Sequence, residues 1–292
     1  MVEITCVVDA GAELGEGTLW DPKAGVLWWI DIWKKLIHRY DPATGKDDVF
    51  ETPEYLGCLG LREKGGLVLT MTDGFHFFDP ATGKFEPIVD PEAHMPKTRF
   101  NDGKPDRQGR FWSGSMFEAP GKLEFIGALY RLDPDLSVHK MIDGIGCSNG
   151  LAWSPDSKTM YFSDSHAGAV WAYDFDPATG DIENRRTFID MTVTGGVADG
   201  ATVDAEGCYW VTIPVTSKVC RYDPVGKLMQ TVLLPTDLPT CCEFGGKDLD
   251  ILYVTSAVLR RPASHFVGQK NPGGLFALDV GVNGLTLPAF KG

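Results

Sequence analysis

The chain has 292 residues, 43% hydrophobic and 23% charged, the balance of a folded globular chain with room for two ordinary domains or one large all-β domain. Its formal net charge is −13, with 40 Asp and Glu against 27 Lys and Arg, which argues against nucleic acid or an anionic membrane as partner, since both call for a positive field. The 34 Gly and 19 Pro favour frequent turns over long helices, and no apolar run is long enough to span a bilayer.

The start, Met1-Val2-Glu3-Ile4, has neither the basic stretch nor the apolar core of a secretion signal. Seven Cys is an odd number, and no Cys-x-x-Cys occurs. Cys241 and Cys242 are adjacent and suit each other poorly as a disulfide, and most of the others lie in apolar runs such as Ile4-Thr5-Cys6-Val7-Val8. Reduced, buried thiols and a cytoplasmic location are therefore expected.

Along the chain one segment recurs. It is a short strand ending in Asp-Pro, at Tyr40-Asp41-Pro42-Ala43-Thr44-Gly45, Phe78-Asp79-Pro80-Ala81-Thr82-Gly83, Leu132-Asp133-Pro134, Phe175-Asp176-Pro177-Ala178-Thr179-Gly180 and Tyr222-Asp223-Pro224-Val225-Gly226. Leu275-Phe276-Ala277-Leu278-Asp279 is a degenerate sixth copy. Pro presets φ, Gly supplies φ > 0 and Asp bonds the backbone ahead, so each copy predicts a tight turn. A strand–turn–strand unit precedes each one, over 17–31, 58–73, 101–115, 149–164, 199–213 and 242–256. The turns are 21–25, 63–66, 106–109, 154–158, 204–207 and 246–250, and most of the second strands are rich in aromatics, as in Leu27-Trp28-Trp29-Ile30 and Tyr209-Trp210-Val211.

A further strand follows each Asp-Pro turn, as in Lys84-Phe85-Glu86-Pro87-Ile88-Val89. Four strands every ~40–50 residues, repeated six times, predict a single six-bladed β-propeller over 1–292 with four antiparallel strands per blade. The Val2–Val8 strand is expected to join the last blade and close the circle. A β-sandwich also has many short strands, but it does not repeat a motif in this way.

The innermost strand of a blade lines the central channel. With the units in register, Glu16 (before Gly17), Asn101 (before Asp102-Gly103), Asn149 (before Gly150) and Asp199 (before Gly200) occupy one ring. Gly57 or Cys58, and Cys241, fill the other two places. A channel end lined by two carboxylates and two amides has three uses: a water-filled mouth, a site for a hard cation, or a carboxylate acid/base pair. Arg99 approaches the same ring, where a guanidinium serves as a structural ion pair or as a fork for hydroxyls and carbonyls. No Gly-x-Ser-x-Gly elbow, P-loop, dinucleotide fingerprint or HExxH occurs, and the six His residues are expected to be packed or on the surface.

Leu14-Gly15-Glu16-Gly17-Thr18-Leu19-Trp20, Arg99-Phe100-Asn101-Asp102-Gly103-Lys104, Ser148-Asn149-Gly150-Leu151-Ala152-Trp153 and Ala198-Asp199-Gly200 resemble the SMP-30/gluconolactonase/LRE-like family of regucalcin-type sugar lactonases. The resemblance runs in order over nearly the whole chain. It implies a six-bladed propeller whose divalent cation, bound at one end of the channel by Glu16, Asn149 and Asp199, is Ca, Zn, Mg, Mn or Fe(II). It further implies that Arg99 and Asn101 bind substrate, with Glu118 in Phe117-Glu118-Ala119-Pro120 a looser match to a substrate-contacting acid, and that Asp199 doubles as general base. The implied activity is hydrolysis of a sugar lactone to the sugar acid, in oxidative pentose or hexose catabolism, by a monomer. A phosphotriesterase or aryl esterase on the same centre, or a non-catalytic calcium-binding propeller, is the alternative. Two segments depart from the pattern. Ala198 stands where Pro is common, and Ile213-Pro214-Val215-Thr216-Ser217 replaces a stretch richer in Gly, Asn or aromatics, which bears on the substrate rim.

Overall fold

The computed structural model describes residues 2–292. Its strands form six antiparallel sheets of four. The inner strands are Gly15–Asp21, Leu56–Leu61, Thr98–Pro105, Ser148–Trp153, Ala201–Val203 and Pro239–Gly245, for blades one to six in chain order. Each packs beside the next, and the sixth packs beside the first. This is the expected all-β six-bladed propeller. The expected closure also holds, because Glu3–Val8 is the outer strand of blade six and pairs with Leu275–Asp279. Helix is confined, among the described residues, to two short 3₁₀ turns, Met191–Val193 and Ala263–Phe266.

The repeated turns form as their chemistry dictates. Asp41 accepts from the Ala43 amide at 2.9 Å and the Thr44 hydroxyl at 2.8 Å, and Asp79 does the same with Ala81 and Thr82. These bonds, the Thr hydroxyl foremost, hold both carboxyls below the ordinary range. The turns that end the inner strands of blades three and five share a second device. Buried Asp106 accepts from Trp112 Nε1 at 3.0 Å and Arg110 Nε at 2.6 Å. Buried Asp204 accepts from Trp210 Nε1 at 2.8 Å and Arg221 Nε at 2.7 Å.

Aromatic residues fill the wedges between blades. Trp20 stacks on Tyr253 with centroids 6.0 Å apart, Trp112 meets Trp153 at 5.8 Å, and Trp210 meets Phe244 edge-on at 6.0 Å. Each such pair contributes about 0.5–1.5 kcal/mol beyond its burial. Of the His residues, His38 and His76 are packed, His38 stacking on Trp29 with a bond to Asp47. All seven Cys are free, six of them buried.

The segment over 283–292 crosses the face that carries these inner-strand turns. Ala205 donates to the Asn283 carbonyl at 2.9 Å, Phe290 exchanges bonds with Leu61 and Glu63 at 2.8 Å, and Lys291 donates to Gly109 at 3.0 Å. Phe290 is fully buried between Phe77 and Phe111. Blades five, two and three are thereby tied together on one face, which leaves the ring residues, at the other ends of the inner strands, facing the opposite mouth.

Candidate active site

Each ring residue sits five positions before its turn: Glu16 before Asp21, Asn101 before Asp106, Asn149 before Ser154 and Asp199 before Asp204. The same count from Gly246 places Cys241 on the ring. In blade two the Arg62 carbonyl accepts from the Gly65 amide as the Asp106 carbonyl does from Gly109, so the turn starts at Arg62, one residue before the 63–66 read from the sequence, and the count selects Gly57 over Cys58. In five blades the ladder to the second strand shifts register beside this place, for example between Glu16 and Leu19 and between Asn149 and Ala152. Such a bulge re-aims a side chain away from the pleat. Gly17 and Gly150 follow their ring residues at φ +60° and +65°, a backbone that suits glycine. Gly200 is required for a different reason, since a Cβ there would lie 2.6 Å from Cys241 Sγ. Asp199 itself precedes the assigned strand of blade five, but its amide already bonds Thr212 at 3.1 Å, so the ladder reaches it.

Four of the expected residues, Glu118, Arg99, Asn101 and Asn149, meet in one hydrogen-bonded chain. Exposed Glu118 accepts from Arg99 Nε at 3.3 Å. Buried Arg99 sends Nη1 to Asn101 Oδ1 at 2.9 Å. Asn101 Nδ2 donates to the Ser148 carbonyl at 2.9 Å and points at Asn149 Oδ1 at 3.3 Å. Asn149 Nδ2 donates to Ser165 Oγ at 2.8 Å, and Ser165 Oγ donates to the Ala198 carbonyl at 2.8 Å, one residue before Asp199. Buried Glu16 and half-buried Asp199 lie beside this chain, near enough for Arg99 and Asp199 to act on the Glu16 carboxyl and for Glu16 to hydrogen-bond Asp199.

Two members are absent from the ring as read from the sequence. Asp102 lies next to it, accepting from the Gly103 amide at 2.9 Å and near enough to Glu16 and Asp199 to act on both. The signal for it was present, because Asp102 precedes a glycine just as Glu16, Asn149 and Asp199 do. Ser165 carried no comparable signal.

The carboxyls crowd one another. Burial raises Glu16 well above the ordinary carboxylate range, and the charges of Asp199 and Asp102 add to it. Burial, then the Asp102 charge, raises Asp199 likewise, and a hydrogen bond from Glu16 pulls it part of the way back. Asp102 is also raised, chiefly by burial. Beneath them the channel is filled. Lys104 Nζ reaches Glu243 Oε2 at 2.7 Å and the Ala201 carbonyl at 2.8 Å, and Thr202 Oγ1 donates to Glu243 Oε1 at 2.8 Å.

Among the described residues, no three His, Cys, Asp or Glu side chains form a ready cation cage by themselves. The donor set nevertheless fits a hard divalent cation. Its atoms are carboxylate and amide oxygens, its carboxyls repel one another until a positive charge is supplied, and Asn149 is held by its Nδ2, leaving Oδ1 toward Asn101 and the ring.

Residues 14–258 match the family described as SMP-30/Gluconolactonase/LRE-like region. The chain belongs to this family. It is 38% identical to regucalcin of Xenopus laevis over 100% of this chain and 99% of that protein. It is 35% identical to the 6-deoxy-6-sulfogluconolactonase of Pseudomonas putida over 99% of both. Among solved structures it is similar to a calcium-binding protein, regucalcin, from Agrobacterium tumefaciens, with TM-score 0.93 and 29% identity over 98% of this chain and 96% of that one. In this family member, then, the inner strands bring Glu16, Asn101, Asn149 and Asp199 to one end of the channel, with Arg99 beside Asn101 and Glu118 paired with Arg99 from the exposed loop.

Proposed function

We propose that this family member hydrolyses an aldono-1,4- or 1,5-lactone to the corresponding sugar acid, as a divalent-cation-dependent step in sugar oxidation. The observation that carries the reading is the single cluster in which Glu16, Asn149 and Asp199 adjoin the Arg99–Asn101–Glu118 chain. The relative named a sulfogluconolactonase, similar over nearly its full length, supports the substrate class. The regucalcin relatives and the calcium-binding structure support a cation.

Glu16, Asn149 and Asp199 would hold the cation, with Asp102 close by. When bound, a divalent cation supplies Lewis-acid polarisation of the lactone carbonyl. Arg99 and Asn101 present N–H donors toward hydroxyls of the sugar, and Glu118 at the rim accepts from them, so orientation lowers the barrier before any bond changes. Asp199 takes a proton from the attacking water as the new C–O bond forms, and returns it to the ring oxygen as the ring C–O bond breaks, leaving the hydroxyl of the sugar acid. This polar rim suits a polyol better than the apolar face of an aryl ester.

A panel of pentono- and hexonolactones, followed by proton release with and without chelator, tests the reading. Release that chelator abolishes and added cation restores is expected. No release from any member of the panel sinks it. Asp199→Asn separates two jobs: retained cation with lost turnover marks the base, and loss of both marks the ligand.

A further inference from the structure

We infer that Ser165 is a positioning residue that sets two of the proposed cation ligands at once, Asn149 in blade four and Asp199 in blade five. Its hydroxyl has one proton. The Ala198 carbonyl can only accept, so that proton lies on the 2.8 Å bond to Ala198. The Ser165 lone pair must then receive a donor from Asn149, and this fixes the amide at the other 2.8 Å contact as Nδ2. Asn149 Oδ1 is thereby turned to the ring. With the hydroxyl absent, Nδ2 keeps at that end only its 3.7 Å contact to Cys147 Sγ, a weak acceptor, so the amide is held less firmly in this orientation, and the flipped one presents a donor where a cation calls for an oxygen.

The second bond acts on backbone. Ala198 lies directly before Asp199, on a stretch that the short Ala201–Val203 strand does not include. A hydroxyl from blade four therefore fastens the approach to the blade-five carboxylate. The same device recurs beside the other ligands. Thr240 Oγ1 of blade six donates to the Gly15 carbonyl before Glu16, and Asn101 Nδ2 of blade three donates to the Ser148 carbonyl before Asn149. Each of the three ligands follows a carbonyl held by the preceding blade. The ring is thus registered from blade to blade, and only at Ser165 does one atom serve two ligands. Ser165 is buried, and its two bonds account for its position.

This inference rests on the proposed cation site, and its test separates the two. Side-chain amide spectra of the cation-free protein read the Asn149 hydrogen bond directly. Ser165→Ala is expected to shift and broaden the Asn149 NH₂ signals, and Ser165→Thr to keep them. Cation titration then reads the consequence: about 10–100-fold weaker affinity in Ser165→Ala, the usual loss when a ligand's outer partner is removed, with Ser165→Thr within threefold of the parent. In an Asn149→Asp background, where the two oxygens are equivalent, the added loss from Ser165→Ala should shrink to the share carried by Asp199. Unchanged Asn149 signals in Ser165→Ala, or parental cation affinity there, overturns the inference. A parent protein that binds no divalent cation, yet shows the Ser165-dependent amide signals, overturns the functional reading and leaves the hold on Asn149 in place.

Discussion

Lys104 and Glu243 meet inside the channel from opposite blades, three and six, with Nζ 2.7 Å from Oε2 and both side chains buried. Burial, the largest single effect, pulls the Lys104 ammonium down, but the charge and hydrogen bond of Glu243, together with the charges of Cys241 and Asp102, outweigh it and hold the group above its ordinary value. The pair closes the floor under Glu16, Asp102 and Asp199. Lys104→Met strands a buried carboxylate and is expected to cost about 3–5 kcal/mol. Replacing both partners, Lys104→Met with Glu243→Leu, should recover most of that loss. Urea unfolding of the two variants is the check, and a single variant as stable as the double would show that the pair does not act as a unit.

Val215 sits at φ +72° in the Ile213–Ser217 segment, and its side chain is 61% exposed. A β-branched residue is strained in that region, while Asn and Gly adopt it readily. Little packing is lost on replacement. Val215→Asn is expected to stabilise the fold by about 1 kcal/mol, read as a higher midpoint in thermal unfolding. A lower midpoint would mean that Val215 makes a contact worth more than its backbone strain.

Much of this was legible in the sequence because it is local. Asp41 and Asp79 close their turns with groups two and three residues away, so the pattern that encodes them is contiguous, and six copies of such units give the blade count. The ring was legible for the same reason, since each member stands five positions before its turn. Asp102 is not legible in this way, because Asn101 holds the register place and the neighbouring bulge, not the period-two pleat, decides where the next side chain goes. Ser165 and Ala198 are 33 residues apart in different blades, and Lys104 and Glu243 are 139 apart. No local pattern marks such pairs before the circle is closed.

Alkaline pH should destabilise the chain before it affects any surface ion pair. Burial pushes the Cys58 and Cys147 thiols from an ordinary 9.0 up to about 12, and the Tyr222 and Tyr253 phenols from 10.0 up to about 12. In this range the folded chain keeps protons that the unfolded chain releases. The unfolded state therefore binds fewer, and stability falls as pH rises. The contribution is intact below about pH 9 and is lost progressively from there toward 12. Each fully buried thiol should cost about 1.4 kcal/mol by pH 10. Urea midpoints at pH 7.5 and pH 10 decide it. An unchanged midpoint would place these thiols and phenols in contact with water.

Asp102 supplies the test of whether the acidic cluster is built for a cation. Its charge raises both Glu16 and Asp199, so without a cation it works against the fold. With a divalent cation present the same charge adds to the attraction. Asp102→Asn keeps the shape and removes the charge, and its effect should therefore change sign with conditions. In chelator the variant should melt at a higher temperature than the parent, because a like charge within a buried group has been removed. With saturating Ca²⁺ or Zn²⁺ it should gain less from the cation than the parent does, with an affinity about tenfold lower, equivalent to about 1.4 kcal/mol of lost linkage stabilisation. Melting curves of both proteins, each with chelator and with cation, give all four quantities. A variant less stable than the parent in chelator would show that the bonds Asp102 makes to the Gly103 and Leu151 amides outweigh its repulsion, and that the cluster is held together without help from a cation.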